Sequence, residues 1–204
     1  MRLFIAVYPP AEAIGHLFRT VTGLRLSAAA ATGAKVRLVD PDRAHLTLAF
    51  LGEVDPTRLP AVRQALRLAV TTVRSDPPML RPPVLRPPVL RPPVLRLGGG
   101  GRFGQGRSTV IWVDVQGEVD GLITLAGAVR AELAAIGVPS DDKPLRPHLT
   151  IARPGDQLPP TDLDADLATL DDYRGPPWPV TELVLVQTRP GPPPTYHPLT
   201  THPL

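Results

Sequence analysis

Hydrophobic positions recur along this chain in two rhythms. After the cap-like stretch "DPTRLP", the residues Leu59, Val62, Leu66, Val70 and Val73 step by three or four, which predicts a helix with one apolar face. The same rhythm carries Leu122, Leu125, Val129, Leu133 and Ile136, and Gly137 with Pro139 ends it. Leu163, Leu167 and Leu170 after Pro160 predict a shorter helix, and residues 10–29 read as a less regular one. Between these segments the pattern shortens to the period of strands, over residues 3–8, 36–39, 44–51, 109–115, 147–152, 182–188 and 195–199. The first of these, in "MRLFIAVYPP", stops at Pro9 and reads as an edge strand.

The order strand, helix, strands, helix, strands occurs before "GEVDGLI" and roughly recurs after it. The expected fold class is therefore α+β and bilobal, with two lobes of antiparallel sheet and one histidine-bearing strand in each. Apart from two short motifs the halves do not align residue by residue. Residues 78–96 break the pattern with copies of the unit "LRPPV". Paired prolines lack donors for a central strand, so this insertion reads as extended and flexible, with its last copy the one placed to pair. A basic arm of Arg81, Arg86 and Arg91 is the functional alternative, and a neutral loop expansion is preferred to it.

The two motifs are "HLTLAF" (His45 to Phe50) and "HLTIAR" (His148 to Arg153), identical at four of six positions. Strand alternation puts His45 and Thr47 on one face and Leu46 and Leu48 on the other, and does the same for His148 and Thr150 against Leu149 and Ile151. A lone histidine of this kind is most often a satisfied core residue. Two matched ones, each followed by threonine, are not demanded by packing. If the lobes face each other, two imidazoles and two hydroxyls surround one point. In-line displacement at phosphorus asks for such a set, with one imidazole taking a proton and the other giving one. The threonine hydroxyls would donate to the non-bridging oxygens. At the sixth position Arg153 suits phosphate, whereas Phe50 fits base stacking and core packing equally well. Arg146, two before His148, shares its face if the strand runs through Pro147.

Composition narrows the setting. The chain has 204 residues, long enough for one sizeable core, with 28 prolines and no cysteine. Disulfides, thiolate metal sites and cysteine nucleophiles are excluded. With no signal-peptide pattern and no apolar run of membrane length, a cytoplasmic location is expected. A net charge of +3 permits an anionic partner without demanding one. Neither histidine has a carboxylate at ligand spacing, so no metal and no other cofactor is expected. The glycine run from Gly98 to Gly101 lacks the ending of a phosphate-binding loop and reads as a flexible turn. His16, His197 and His202 read as surface or structural, and "DLDADLATLDD" as a solvated helix face.

Tandem "HLTL" and "HLTI" resemble the two-histidine phosphoesterase superfamily. "MRLFIAV", "AHLTLAFLGEV", "VLRLGGGGRFG", "STVIWVDV", "RPHLTIAR" and "VTELVLVQTRPGPPPTYHPL", in this order, are similar to the RNA 2',3'-cyclic phosphodiesterases, also called 2'-5' RNA ligases. The likeness spans 1–204 as one bilobal unit, except for the proline insertion. It implies pseudo-symmetric lobes with helices on the outer faces and a central cleft. It also implies hydrolysis of a 2',3'-cyclic phosphate on RNA to a 2'-phosphomonoester, with reverse ligation allowed; a monomer with no metal and no membrane partner is expected. His45 is then the proton donor and His148 the proton acceptor, a distinction the residues alone do not make. Thr47, Thr150 and Arg153 match phosphate contacts and Phe50 a base contact, while Ala49 stands where the family often has a basic residue. Two rivals stay open: the same chemistry on a small substrate such as a cyclic nucleotide or an ADP-ribose cyclic phosphate, and an RNA-binding module without turnover.

Overall fold

A computed structural model describes residues 1–75, 92–141 and 144–204. The expected flexibility of the "LRPPV" insertion, residues 78–96, lies outside them over residues 78–91.

Among the described residues there are nine strands and five α-helices. The chain runs β1 (Arg2–Val7), α1 (Ala11–Thr22), α2 (Arg25–Ala31), β2 (Arg37–Leu38), β3 (Leu46–Glu53) and α3 (Leu59–Ser75). It continues through β4 (Val94–Phe103), β5 (Val110–Gly117), α4 (Val119–Ala135), β6 (His148–Arg153), α5 (Pro160–Asp171), β7 (Trp178–Pro179), β8 (Glu182–Arg189) and β9 (Thr195–Pro203). The strands form one antiparallel sheet in the order β7-β4-β5-β6-β3-β1-β8-β9, with β2 pairing β6.

The two expected lobes are the halves of this sheet. β3, β1, β8 and β9 make one and β6, β5, β4 and β7 the other. They join where Leu46 of β3 pairs with Leu149 of β6. α3 and α4 cover the first half, packing on β9 and β3, and α1 and α5 cover the second through β4. The helix after β1 therefore lies on the half-sheet that does not contain β1, and α4 after β5 does the reverse. One core runs under both, from Leu3 and Leu46 to Leu149 and Leu170.

Three local expectations change. β1 is an inner strand between β3 and β8, not an edge. Its side chains are apolar on both faces because both are covered: Leu3, Ile5 and Val7 enter the main core, while Phe4 and Ala6 join a second cluster with Val184 and Val186. Residues 10–29 are two helices, broken where the chain turns at Gly23 and Leu24. The glycine run is strand β4, not a flexible turn. A Cβ on Gly100 would lie 2.5 Å from Cβ of Leu170 in α5, and one on Gly101 would lie 2.1 Å from the Trp112 ring of β5. Glycine here answers close packing on both faces of a strand. As expected, the last "LRPPV" copy pairs: Val94 lies across from Pro179 and Leu95 from Trp178.

Candidate functional site at the junction of the half-sheets

Burial follows the alternation read from the motifs. Leu46, Leu48, Leu149 and Ile151 are 0 to 1% exposed in the core, whereas His45, Thr47, His148 and Thr150 are half-buried on the opposite face. The Leu46–Leu149 pair brings the motifs together. One antiparallel step to either side sets His45 across from Thr150 and Thr47 across from His148, all four on one face.

Both rings are held in the same way. His45 Nδ1 lies 2.7 Å from the Arg43 carbonyl, and His148 Nδ1 lies 2.7 Å from the Arg146 carbonyl. A carbonyl only accepts, so Nδ1 carries the hydrogen in each and donates it. Each Nε2 is left to exchange a proton with something outside the sheet. Arg43 ends a short 3-10 turn, Pro41–Arg43, capped by Asp40, whose carboxylate accepts from the Asp42 amide. On the other side Pro147 fixes the backbone between Arg146 and His148.

The same two arginines clamp the aromatic walls. Arg43 lies 4.7 Å over the Tyr196 ring, and Arg146 lies 4.5 Å over Trp112 and 5.5 Å over Phe103. Tyr196 meets His45 edge-on at 5.3 Å, Phe4 stands 4.9 Å from it and Tyr8 5.7 Å. Phe103 meets His148 edge-on at 4.9 Å, with Trp112 at 6.1 Å. The site is thus built twice, with different rings in each half. Burial lowers the pKa of His45, partly offset by its bond to the Arg43 carbonyl, and the charges of Arg43 and His148 lower it further. Burial, followed by Tyr196, pushes Tyr8 up to about 12, so its hydroxyl stays protonated.

Strict alternation would send Phe50 and Arg153 to the core. Instead β3 passes from Thr47, opposite Ala6, to Ala49, opposite Ile5, leaving Leu48 as an extra residue. β6 does the same at Ile151, between Thr150 opposite Trp112 and Ala152 opposite Ile111. These matched bulges return Phe50 and Arg153 to the face of the histidines. Phe50 is 52% exposed and 6.0 Å from Phe4, so its ring is not core packing. The bulge in β3 is braced from α4: Arg130 reaches the Leu48 carbonyl at 3.4 Å and Asp141 at 3.7 Å, and Asp141 accepts from the Phe50 amide at 3.4 Å.

The other histidines lie apart from this face's central set. His16 is 3.0 Å from the Tyr173 hydroxyl, His197 bonds Thr195 in β9, and His202 is buried. The acidic stretch is not wholly solvated. Asp166 is 1% exposed and accepts from the amides of Arg25 and Leu26 at 2.8 and 2.9 Å, capping α2. Its position between Leu163 and Leu170 on the apolar face was the available signal. Arg43 was likewise within reach, because "RAHLT" and "RPHLT" share arginine two places before the histidine. Among the described residues no three His, Cys, Asp or Glu side chains gather at metal-holding distance. No described helix is long and apolar enough to cross a membrane.

Two half-sheets meeting at paired His-x-Thr strands define a two-histidine phosphoesterase architecture. The chain belongs to the 2'-5' RNA ligase superfamily, whose family model matches residues 12–192. It is 31% identical over 197 residues to an RNA 2',3'-cyclic phosphodiesterase of Thermus thermophilus, covering 92% of this chain and 82% of that protein. A crystal structure of a protein from Thermus thermophilus superposes with a TM-score of 0.69 at 28% identity, covering 100% of this chain and 98% of that one. LigT of Escherichia coli complexed with ATP gives 0.66 at 25% identity, covering 100% and 97%.

Proposed function

We propose that this protein hydrolyses 2',3'-cyclic phosphate ends of RNA to 2'-phosphomonoesters. The observation that carries the reading is the doubled histidine: each Nδ1 is committed to the carbonyl two residues before it, which leaves each Nε2 for chemistry on one shared face. A cyclic phosphate between the rings would accept hydrogen bonds from Thr47 and Thr150 through its non-bridging oxygens, with the Arg153 charge further along the same face for phosphate. His148 Nε2 takes a proton from water as the water oxygen bonds to phosphorus. The bond from phosphorus to the 3'-oxygen breaks, and His45 Nε2–H gives its proton to that oxygen. The products are a 2'-phosphomonoester and a 3'-hydroxyl. A 5'-hydroxyl in place of water would yield a 2'-5' linkage by the same proton transfers. Phe50, exposed on this face, offers a ring for the terminal base.

The family resemblance supplies the order of roles, with His45 as donor. Burial disfavours the cation that a donor needs, and the negative charge of a bound phosphate favours it again. The test is phosphorus NMR of a cyclic-ended oligonucleotide incubated with the protein in EDTA. A 2'-phosphomonoester is expected. Conversion of mononucleotide substrates alone would favour a small-molecule phosphodiesterase, and binding of RNA without conversion would leave a binding module.

A further inference from the structure

Arg37 of β2 lies directly across from Arg153 of β6, and Leu38 lies across from Ala152. Ala152 is buried in the main core, and so, next to Arg37 in the chain, is Val36. Alternation then puts Arg37 and Arg153 together on the opposite face, the one that carries His148 and Thr150. Two arginines are thus paired across the strands at the end of the histidine strand, and both side chains are exposed. Like charges directly opposed destabilise a strand pair. Some exposed arginines have carboxylate partners, as Arg25 has Asp162 and Arg107 has Asp156. Among the described residues neither Arg37 nor Arg153 has an ion pair or a side-chain hydrogen bond.

An anion that accepts from both groups relieves this repulsion, and guanidinium geometry suits phosphate oxygens. We infer that Arg37 and Arg153 form a second phosphate subsite, which holds the phosphodiester on the 5' side of the terminal nucleoside. The inference rests on the function proposed above. Because of the bulge, Thr150 and Arg153 are between two and three strand steps apart, roughly 7–10 Å. That is comparable to the separation of neighbouring phosphates along an extended single strand. The cyclic phosphate occupies the end with Thr150, and the next phosphate reaches the arginines. A nucleoside 2',3'-cyclic monophosphate with a free 5'-hydroxyl has nothing to place there, so the pair selects oligonucleotides over mononucleotides.

The experiment compares a dinucleotide ending in a 2',3'-cyclic phosphate with the matching mononucleotide. Arg37→Gln is expected to lower kcat/KM for the dinucleotide about tenfold or more, the effect of losing a charged hydrogen bond, and to leave the mononucleotide unchanged. The slope of log kcat/KM against log salt for the dinucleotide should flatten by about 0.7, one single-strand phosphate contact. Arg37→Lys should keep that slope, Arg37→Glu should deepen the loss on the dinucleotide alone, and Arg67→Gln on α3 should change neither substrate. Circular dichroism checks that each variant is folded. Equal effects of Arg37→Gln on both substrates, or none on either, would overturn the subsite while the hydrolase reading stands. Absence of turnover by the unaltered protein on both substrates would overturn the hydrolase reading and the subsite with it.

Discussion

At the scale of single residues, the site depends on which nitrogen of each imidazole is spoken for. The carbonyls of Arg43 and Arg146 take the Nδ1–H of their histidines, so rotation and tautomer are fixed before substrate arrives. The pKa of His45 is lowered chiefly by burial, which gives pH dependence a sign. With His45 as the proposed proton donor, which must be charged to act, activity should fall as pH rises through its pKa. In the free protein that pKa lies below the ordinary value of about 6.5. A bound phosphate raises it. The alkaline limb of kcat should therefore lie at higher pH than that of kcat/KM, measured as two pH profiles on one substrate. Coincident limbs would mean that bound substrate does not recharge His45.

The elements explain what could be read beforehand and what could not. Leu46, Leu48, Leu149 and Ile151 announce the buried face of each motif strand, because period-two alternation is a local property. The placements of Phe50 and Arg153 depend on bulges at Leu48 and Ile151, and those exist only against the partner strands β1 and β5. Gly100 and Gly101 look like a turn for a similar reason: the contacts that require glycine come from Leu170 and Trp112, remote in sequence. Arg43 and Asp166 are different, since their signals were local and present. Two predictions belong here. Gly101→Ala forces the Trp112 ring, which Arg146 covers and His148 meets, out of its place, and should cost about 1–3 kcal/mol of stability by chemical denaturation while lowering activity. Asp166→Ala leaves two amides at the start of α2 without their acceptor, and should cost about 2–3 kcal/mol with kcat unchanged, because the cap lies on the helical side of the sheet.

At the scale of the molecule, the pseudo-symmetry expected from two motif copies takes the form of interlocked halves. Each half-sheet is covered by a helix that follows a strand of the other, and the core is continuous beneath them. Neither half holds its own apolar face covered without the other, so thermal unfolding followed by tryptophan fluorescence and by far-ultraviolet circular dichroism should give one coincident transition. Two separated transitions would show halves that fold independently. The interlocking also serves the chemistry: the histidines come from different halves, and the pairing of Leu46 with Leu149 registers one against the other. Duplication supplies two imidazoles held in the same way, and the unlike rings around them, with Phe50 answering Arg153, make the two halves of the face different.

The central claim is that both imidazoles act on one phosphate. The most direct measurement is the rate of 2'-phosphomonoester release from a cyclic-ended oligonucleotide, in EDTA, by His45→Ala and by His148→Ala, with folding verified for each. Each variant should lose about 10²–10⁴-fold in kcat, the share of a general acid or base. Full turnover by either folded variant would contradict the account.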